Sequence, residues 1–393
     1  PALQDLAKAL EAAFAEALAF FRQTREVYQQ LHGDGGDPRR RARIEKNLAL
    51  ALLNTGQLTT CIGHFDAALR HLGRPLTTSP TWAYLGFAGN LSLLLAQLYL
   101  NLGRRRQVAD WDQERMASEI LFNRSRAEIT SDPTRLFFES VAALRHFNEI
   151  DARQVEQSSA IYASAAGMFC YSGISFPIGK RIMQQARALV QQGNVQQEFT
   201  CASMEFIIRY LEGDWADGHV VDANLLDAAL HHGQLWDANT YLGLYSDRLL
   251  RQGRFDEARA VLRRLETMRD DYGYSFAGTN RDGMTAILLA EERNLDPALD
   301  AAIRYREQVA EAPLKVLAIG TQAKIEVLRG DLDAAATTLQ EAEEIMSRSR
   351  ELPPWHVSAA ATAGLLLALQ RLRHAGAGER RRCARELRRC LRR

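Results

Sequence analysis

The chain has 393 residues, of which 47% are hydrophobic and 25% charged, with a net charge of +1. That is enough apolar material for two or three globular domains or one long repeat array, and it excludes a disordered polyelectrolyte. The near-neutral balance hides an asymmetry: residues 371–393 carry ten Arg against two Glu, or +8, which leaves −7 for residues 1–370.

Five cysteines (Cys61, Cys170, Cys201, Cys383 and Cys390) are odd in number and form no CxxC pair. They suggest neither a zinc site nor a disulfide framework and fit a reducing cytosol. No apolar run reaches the roughly 18 residues of a membrane span, so a cytoplasmic location without a membrane partner is expected. Only five of the 49 basic residues are Lys, a usage that reflects a GC-rich bacterial genome. The start, Pro1-Ala2-Leu3, lacks Met and suggests a piece of a larger protein.

Taken in chain order, Leu6, Leu10, Phe14, Ala17 and Phe21 form an apolar stripe at helical spacing. They predict a helix ending before His32-Gly33-Asp34-Gly35-Gly36, so that residues 1–36 form an N-terminal cap. Asp37-Pro38 restarts a helix, because Pro suits the first helical position and the preceding side-chain oxygen can cap it. Ser79-Pro80, Asp132-Pro133 and Asp296-Pro297 repeat the device.

Residues 37–178 read as degenerate helical hairpins. Within them, 48–54 turns at Gly56 into 61–72, 91–102 turns at Gly103 into the helix containing Trp111, and 135–147 precedes 155–166. After a break at 170–177, residues 179–350 read as more regular hairpins: 180–192 turns at Gly193, and an even stretch covers 196–270. A further pair straddles Asn294, and 314–329 pairs with 333–348. Residues 351–393 form C-terminal cap helices, 355–371 and an Arg-rich tail. Strand alternation is absent. The expected fold is all-α, with eight to ten hairpins.

One punctuation mark recurs. An apolar stretch meets Gly, then polar and large residues, then Ala: Gly213-Asp214-Trp215-Ala216, Gly233-Gln234-Leu235-Trp236-Asp237-Ala238, Gly253-Arg254-Phe255-Asp256-Glu257-Ala258 and Gly330-Asp331-Leu332-Asp333-Ala334-Ala335. The first three glycines stand twenty residues apart, room for one helix and a tight turn. Gly supplies a left-handed helix end, and Ala lets the second helix approach the first. Asn294 is expected to replace Gly in that role.

The stretches 249–258 and 327–335 resemble tetratricopeptide repeats. The order of segments, including 49–72 with its closing Leu72-Gly73-Arg74-Pro75, 169–187 and Leu211-Glu212-Gly213-Asp214-Trp215, is similar to the C-terminal repeat region of bacterial STAND-type signalling ATPases and related adenylate/guanylate cyclases. The resemblance implies an α-solenoid, a right-handed superhelix of hairpins acting as sensor or scaffold. Its partner would be a protein or peptide, the upstream domains of the same polypeptide included. No catalytic motif is carried over, and no cofactor or metal is expected.

Two residue sets are candidates for partner binding. Arg209, Tyr210, Trp236, Asn239, Tyr241 and Tyr245 fall on first helices of pairs and could clamp peptide amides and carboxylates, or simply pack between repeats. The stretch from Tyr272 to Gly283 reads as a long loop, with Tyr272, Tyr274, Phe276, Asn280 and Arg281 as its contact residues or as a packed connector.

Gly173-Ile174-Ser175-Phe176-Pro177-Ile178-Gly179-Lys180-Arg181 mimics a phosphate loop but has one residue too many and no preceding strand. It reads better as a connector capping the next helix. His231-His232 and Asp270-Asp271 lack the partners a metal would need. The Arg-rich tail leaves nucleic-acid binding open as an alternative, as does an enzyme on an α/α scaffold.

Overall fold

A computed structural model describes residues 2–33, 36–54, 57–76, 80–100, 106–216, 219–349, 352–376 and 378–391. Regular structure among them is helical throughout, without a strand. The turns expected at Gly56 and Gly103, the cap at Ser79 and the side chains of Leu6, Leu10, Phe14 and Ala17 lie outside the described residues. The chain divides into two compact units, one of residues 1–170, 175–208 and 219–233, the other of residues 171–174, 209–218 and 234–393.

In the first unit α1 (Ala2–His32), α2 (Pro38–Asn54) and α3 (Leu58–His71) pack in succession, and α5 (Trp111–Ser131) closes on α2 and α3. Leu48, Leu52, Cys61, Phe65, Leu69 and Ile120 form the shared core. α4 (Pro80–Leu100) lies on α6 (Pro133–Glu149). Then follow α7 (Ser158–Tyr171), α8 (Phe176–Leu189), α9 (Val195–Glu212), whose last turn from Arg209 belongs to the second unit, and α10 (Ala223–His231). Two proline-marked starts behave as expected. Asp132 accepts from Arg135 N at 2.9 Å to cap α6, and Ser175 accepts from Ile178 N at 3.3 Å to cap α8.

α4 adds a feature that no continuous apolar run announces. Thr81–Leu100 is 20 residues of helix, long and apolar enough to cross a membrane by length and composition, and only 11% of it is buried. Gly86, Gly89, Asn90, Ser92 and Gln97 interrupt the apolar run in the sequence without adding a charge, which is why counting consecutive apolar residues missed it.

The second unit contains α11 (Leu235–Arg251), α12 (Phe255–Asp271), α13 (Ser275–Glu291), α14 (Leu295–Gln308), α15 (Ala312–Arg329), α16 (Leu332–Arg348), α17 (Pro354–His374) and α18 (Arg380–Cys390). Each helix from α11 to α17 packs on the next, and α11, α13, α15 and α17 also pack on one another in succession. The odd-numbered helices are therefore a central layer. α15 shows the consequence: residues 316–323 and 325–327 are all buried. α12, α14 and α16 instead bury one apolar stripe each, such as Ala258, Val261, Leu262 and Leu265 on α12. Close approach in the central layer depends on Gly320. A Cβ built there would lie 2.3 Å from the Ala360 backbone nitrogen on α17.

One turn follows α10 and joins α11 to α12, α13 to α14 and α15 to α16. The residue at its apex is left-handed, with φ of 73° at Gly233 and Gly253, 65° at Arg293 and 88° at Gly330. Where this turn is fully formed, its two N–H groups close the preceding helix as a Schellman pair, for example Gly253 N to Leu250 O at 3.1 Å and Arg254 N to Leu249 O at 2.9 Å. Five residues after the apex stand Ala238, Ala258, Ala298 and Ala335, all with no exposed surface. A larger side chain at any of them would push the new helix off its neighbour.

Two details differ from expectation. The left-handed residue of the α13–α14 turn is Arg293, not Asn294, which has φ −90° and is the helix N-cap. Accordingly Asp296 sits inside the first turn of α14 and does not cap it. Gly213 is left-handed as expected, yet 214–216 do not start a helix. The Trp215 indole instead turns back and donates to Tyr210 O at 3.0 Å, so α10 opens only at Ala223.

Candidate interaction surface

The chemistry of the second unit centres on Tyr210, in the last turn of α9. Its hydroxyl donates to Asp247 Oδ2 on α11. Arg251, one turn further along α11, donates its Nε to the same oxygen at 2.7 Å. Trp355 of α17 donates its indole N–H to the Tyr210 hydroxyl at 3.0 Å, and Trp215 stacks on the Tyr210 ring with centroids 6.2 Å apart. Burial, reinforced by the Asp247 charge, pushes the Tyr210 phenol well above its ordinary range, so it stays a donor. Next to Trp355, His356 meets the Tyr171 hydroxyl at 2.9 Å. Burial lowers the His356 pKa to about 3, so the imidazole is neutral.

This cluster ties the last turn of α9 to α11 and α17. Its polar atoms satisfy one another around Asp247, which is 2% exposed, with Arg251 closing the solvent side. It brings together segments far apart in sequence, and only Tyr210 among its members was a candidate from the sequence. Asp247 carried a weak signal. It lies three residues before buried Leu250, inside the apolar stripe of α11, where an unpaired carboxylate would be costly. Trp355 and His356 gave no sequence signal pointing to Tyr210.

The expected groove residues divide by exposure. Asn239 and Tyr241 have 0% and 1% of their surface exposed, and Tyr210 is buried too. Packing explains this: α11 belongs to the central layer and has α12 and α13 against it. The Asn239 amide finds no hydrogen-bond partner on either atom. Arg209, Trp236 and Tyr245 remain half-buried. Tyr245 stacks on Tyr241 at 5.6 Å, and the Arg248 guanidinium lies 5.2 Å from the Tyr245 ring centre. Arg209 pairs with Asp214 at 2.8 Å.

The expected aromatic loop is mostly helix. Only residues 272–274 connect α12 to α13, so Phe276, Asn280 and Arg281 are helical. The glycines that suggested a loop are packing positions. A Cβ at Gly283 would lie 3.1 Å from the Tyr305 ring of α14, and one at Gly278 would lie 2.9 Å from Arg269 Cδ. Tyr272, Tyr274, Phe276, Asn280 and Arg281 are each half-buried, and Arg281 lies 3.5 Å from Glu266. Asn280 faces Gly243 of α11, whose missing side chain makes room for it.

The first unit holds a separate charged cluster. Arg124, with no exposed surface, pairs with Asp66 at 2.7 Å, Glu128 at 2.5 Å and Glu139. Arg135 adds a contact to Glu139 at 2.9 Å. Burial, with Glu139 nearby, raises the Glu128 pKa to about 8. The glycine-rich stretch before Arg181 is not a phosphate cradle: Gly179 is inside α8, where a Cβ would lie 2.5 Å from Cys170 Sγ. Among the described residues no three His, Cys, Asp or Glu side chains are grouped to hold a metal.

Compared with known proteins, the chain matches no family model and no curated sequence.

Proposed function

We propose that the chain is a tetratricopeptide-type α-solenoid, a right-handed superhelix that serves as a non-catalytic interaction or ligand-sensing module of a larger bacterial signalling protein. What supports this reading is the turn that recurs with the same left-handed apex and the same buried Ala, joining hairpins whose first helices pack in one continuous layer. With Asn239 and Tyr241 enclosed, recognition falls to the half-buried residues Trp236 and Tyr245 on α11 and Phe276, Asn280 and Arg281 on α13. Aromatic faces, one amide and one guanidinium suit an extended peptide carrying a carboxylate. A peptide array would find binders, and their titration by fluorescence anisotropy against wild type and Trp236→Ala/Arg281→Ala tests the surface. Equal affinity in both proteins would dismiss it, and a chain that binds no peptide would overturn the reading.

A second reading, polyanion binding, is favoured by α18 alone. Arg380, Arg381, Arg385 and Arg388 are exposed there, while Ala384, Leu387 and Cys390 face inward toward α17. Nucleic-acid affinity that falls steeply with salt and disappears in an Arg381→Gln/Arg385→Gln/Arg388→Gln variant is the expected result.

A further inference from the structure

α4 has two faces of different character. The inner one packs on α6: Phe87 stacks on Phe138 at 4.3 Å, and Leu94 and Leu98 are buried. Its polar side chains are engaged there as well. Asn90 accepts from Arg145 at 3.1 Å, and Gln97 accepts from Asn148 at 3.1 Å. The outer face carries Trp82, Leu85, Leu93 and Leu100, exposed by 69%, 60%, 51% and 65%. Gly86 and Gly89 lie between them with open space beyond. Ser92, the hydroxyl in the middle of that face, is satisfied by Ala88 O at 2.9 Å within the helix.

A protein partner ordinarily finds about one hydrogen bond per 100–200 Å² of interface. The middle of this face offers none. Its polar tips stand at the ends, the Trp82 indole on one side and the Tyr99 hydroxyl on the other. The basic groups are at the Tyr99 end. The Arg181 guanidinium lies 4.6 Å from the Tyr99 ring centre, and exposed Arg106 donates its backbone N–H to Glu149 O at the end of α6. Apolar middle, aromatic ends and a flanking cationic cluster are what a helix lying in a lipid–water interface needs, and anionic headgroups complement the arginines.

We propose that α4 is a membrane-surface anchor. It inserts its outer face at the headgroup–acyl boundary of an anionic bilayer, with Arg106 and Arg181 against lipid phosphates, and stays attached to α6 instead of crossing. The proposal is independent of peptide recognition by the second unit.

Flotation of the whole chain with phosphatidylcholine vesicles containing about 30% phosphatidylserine tests it, using lipid surface charge in the range that attracts basic clusters. The chain is expected to float with these vesicles and more weakly with pure phosphatidylcholine. Leu85→Glu/Leu93→Glu should lower partitioning by roughly a hundredfold, since each leucine side chain removed from lipid is worth about a factor of ten. Both leucines are exposed, so circular dichroism of this variant should match wild type. Arg106→Gln/Arg181→Gln should weaken binding to the anionic vesicles only. A blue shift of fluorescence on vesicle addition, absent in Trp82→Phe, gives a second readout. A wild type that does not float, or a double-Glu variant that floats equally well, overturns the proposal. So does a dimer in light scattering that the double-Glu variant abolishes without vesicle binding, which would assign the face to a second copy.

Discussion

Replacing Gly320 by Ala adds one methyl group where α15 meets α17. The new Cβ would lie 2.3 Å from Ala360 N, 2.7 Å from Ala359 C and 2.8 Å from Ala360 Cα. All three are backbone atoms, so no rotamer change relieves the clash. Ordinary contact starts at 3.4 Å, and the helices must part by about 1 Å. That gap runs along a seam holding Val316, Ile319, Ala323, Ala360, Ala363 and Leu367, all buried. Overpacking of this kind costs about 1–3 kcal/mol, and more where the backbone itself blocks, against about 1 kcal/mol gained from the helix preference of Ala over Gly. We therefore expect a net loss of about 2 kcal/mol. Gly364 on α17 is the control, because a Cβ there meets nothing within 4 Å. Gly364→Ala should gain about 0.5–1 kcal/mol. Urea unfolding of both variants, followed by far-UV circular dichroism and by the fluorescence of Trp355 at the start of α17, measures the difference. A Gly320→Ala protein as stable as Gly364→Ala would refute the packing argument.

Three further outcomes follow from the same reasoning. Arg293→Gly should raise the urea midpoint by the equivalent of about 1 kcal/mol, because only glycine takes the left-handed apex without steric cost; no gain would mean the Arg293 side chain makes compensating contacts. Arg124→Met should destabilise by about 3–5 kcal/mol near neutral pH by leaving Asp66, Glu128 and Glu139 without their central cation. Adding Glu139→Gln should recover part of the loss, and a neutral effect of Arg124→Met would show that the carboxylates do not depend on it. His356 is held neutral down to about pH 3, whereas an unfolded histidine takes up its proton near 6.5. The unfolded chain therefore binds the extra proton in this window, and stability should fall as pH drops from 6.5 towards 3. His356→Gln should remove that part of the slope in urea midpoints measured across this pH range, and identical slopes would contradict the burial assigned to the ring.

The hairpin pattern was legible because its turn is local. A left-handed apex and an Ala five residues on report backbone conformation and one close contact, and both are properties of neighbouring residues. Arg293 escaped notice since the adjacent Asn294 has the stronger intrinsic preference for a left-handed backbone, while the Schellman bonds of Arg293 and Asn294 to Ala290 and Leu289 impose it on the less suited residue. The stretch 275–283 looks like a loop in the sequence for a related reason. Glycines inside a helix look like loop residues until the Arg269 side chain beside Gly278 and the Tyr305 ring beside Gly283 are known. The Tyr210–Asp247–Trp355 tie was illegible because it joins residues 37 and 145 positions apart, and nothing local requires them to meet. Exposure followed the same rule: Asn239 and Trp236 share a helix and a spacing, yet only the layer around α11 decides which one is enclosed.

The polar groups buried in the central layer have a consequence for assembly. Hairpins joined by the same turn and packed through Ala and Leu are nearly interchangeable, so an array held by apolar contacts alone could stack one repeat out of place at small cost. Tyr210 of α9 with Asp247 of α11, and Arg306 of α14 with Gln322 of α15 at 3.0 Å, each join two helices through a particular polar pair. A slip by one hairpin would bury each of these groups opposite carbon. They act as serial numbers on otherwise uniform parts, and they favour the correct neighbour for the helices that carry them.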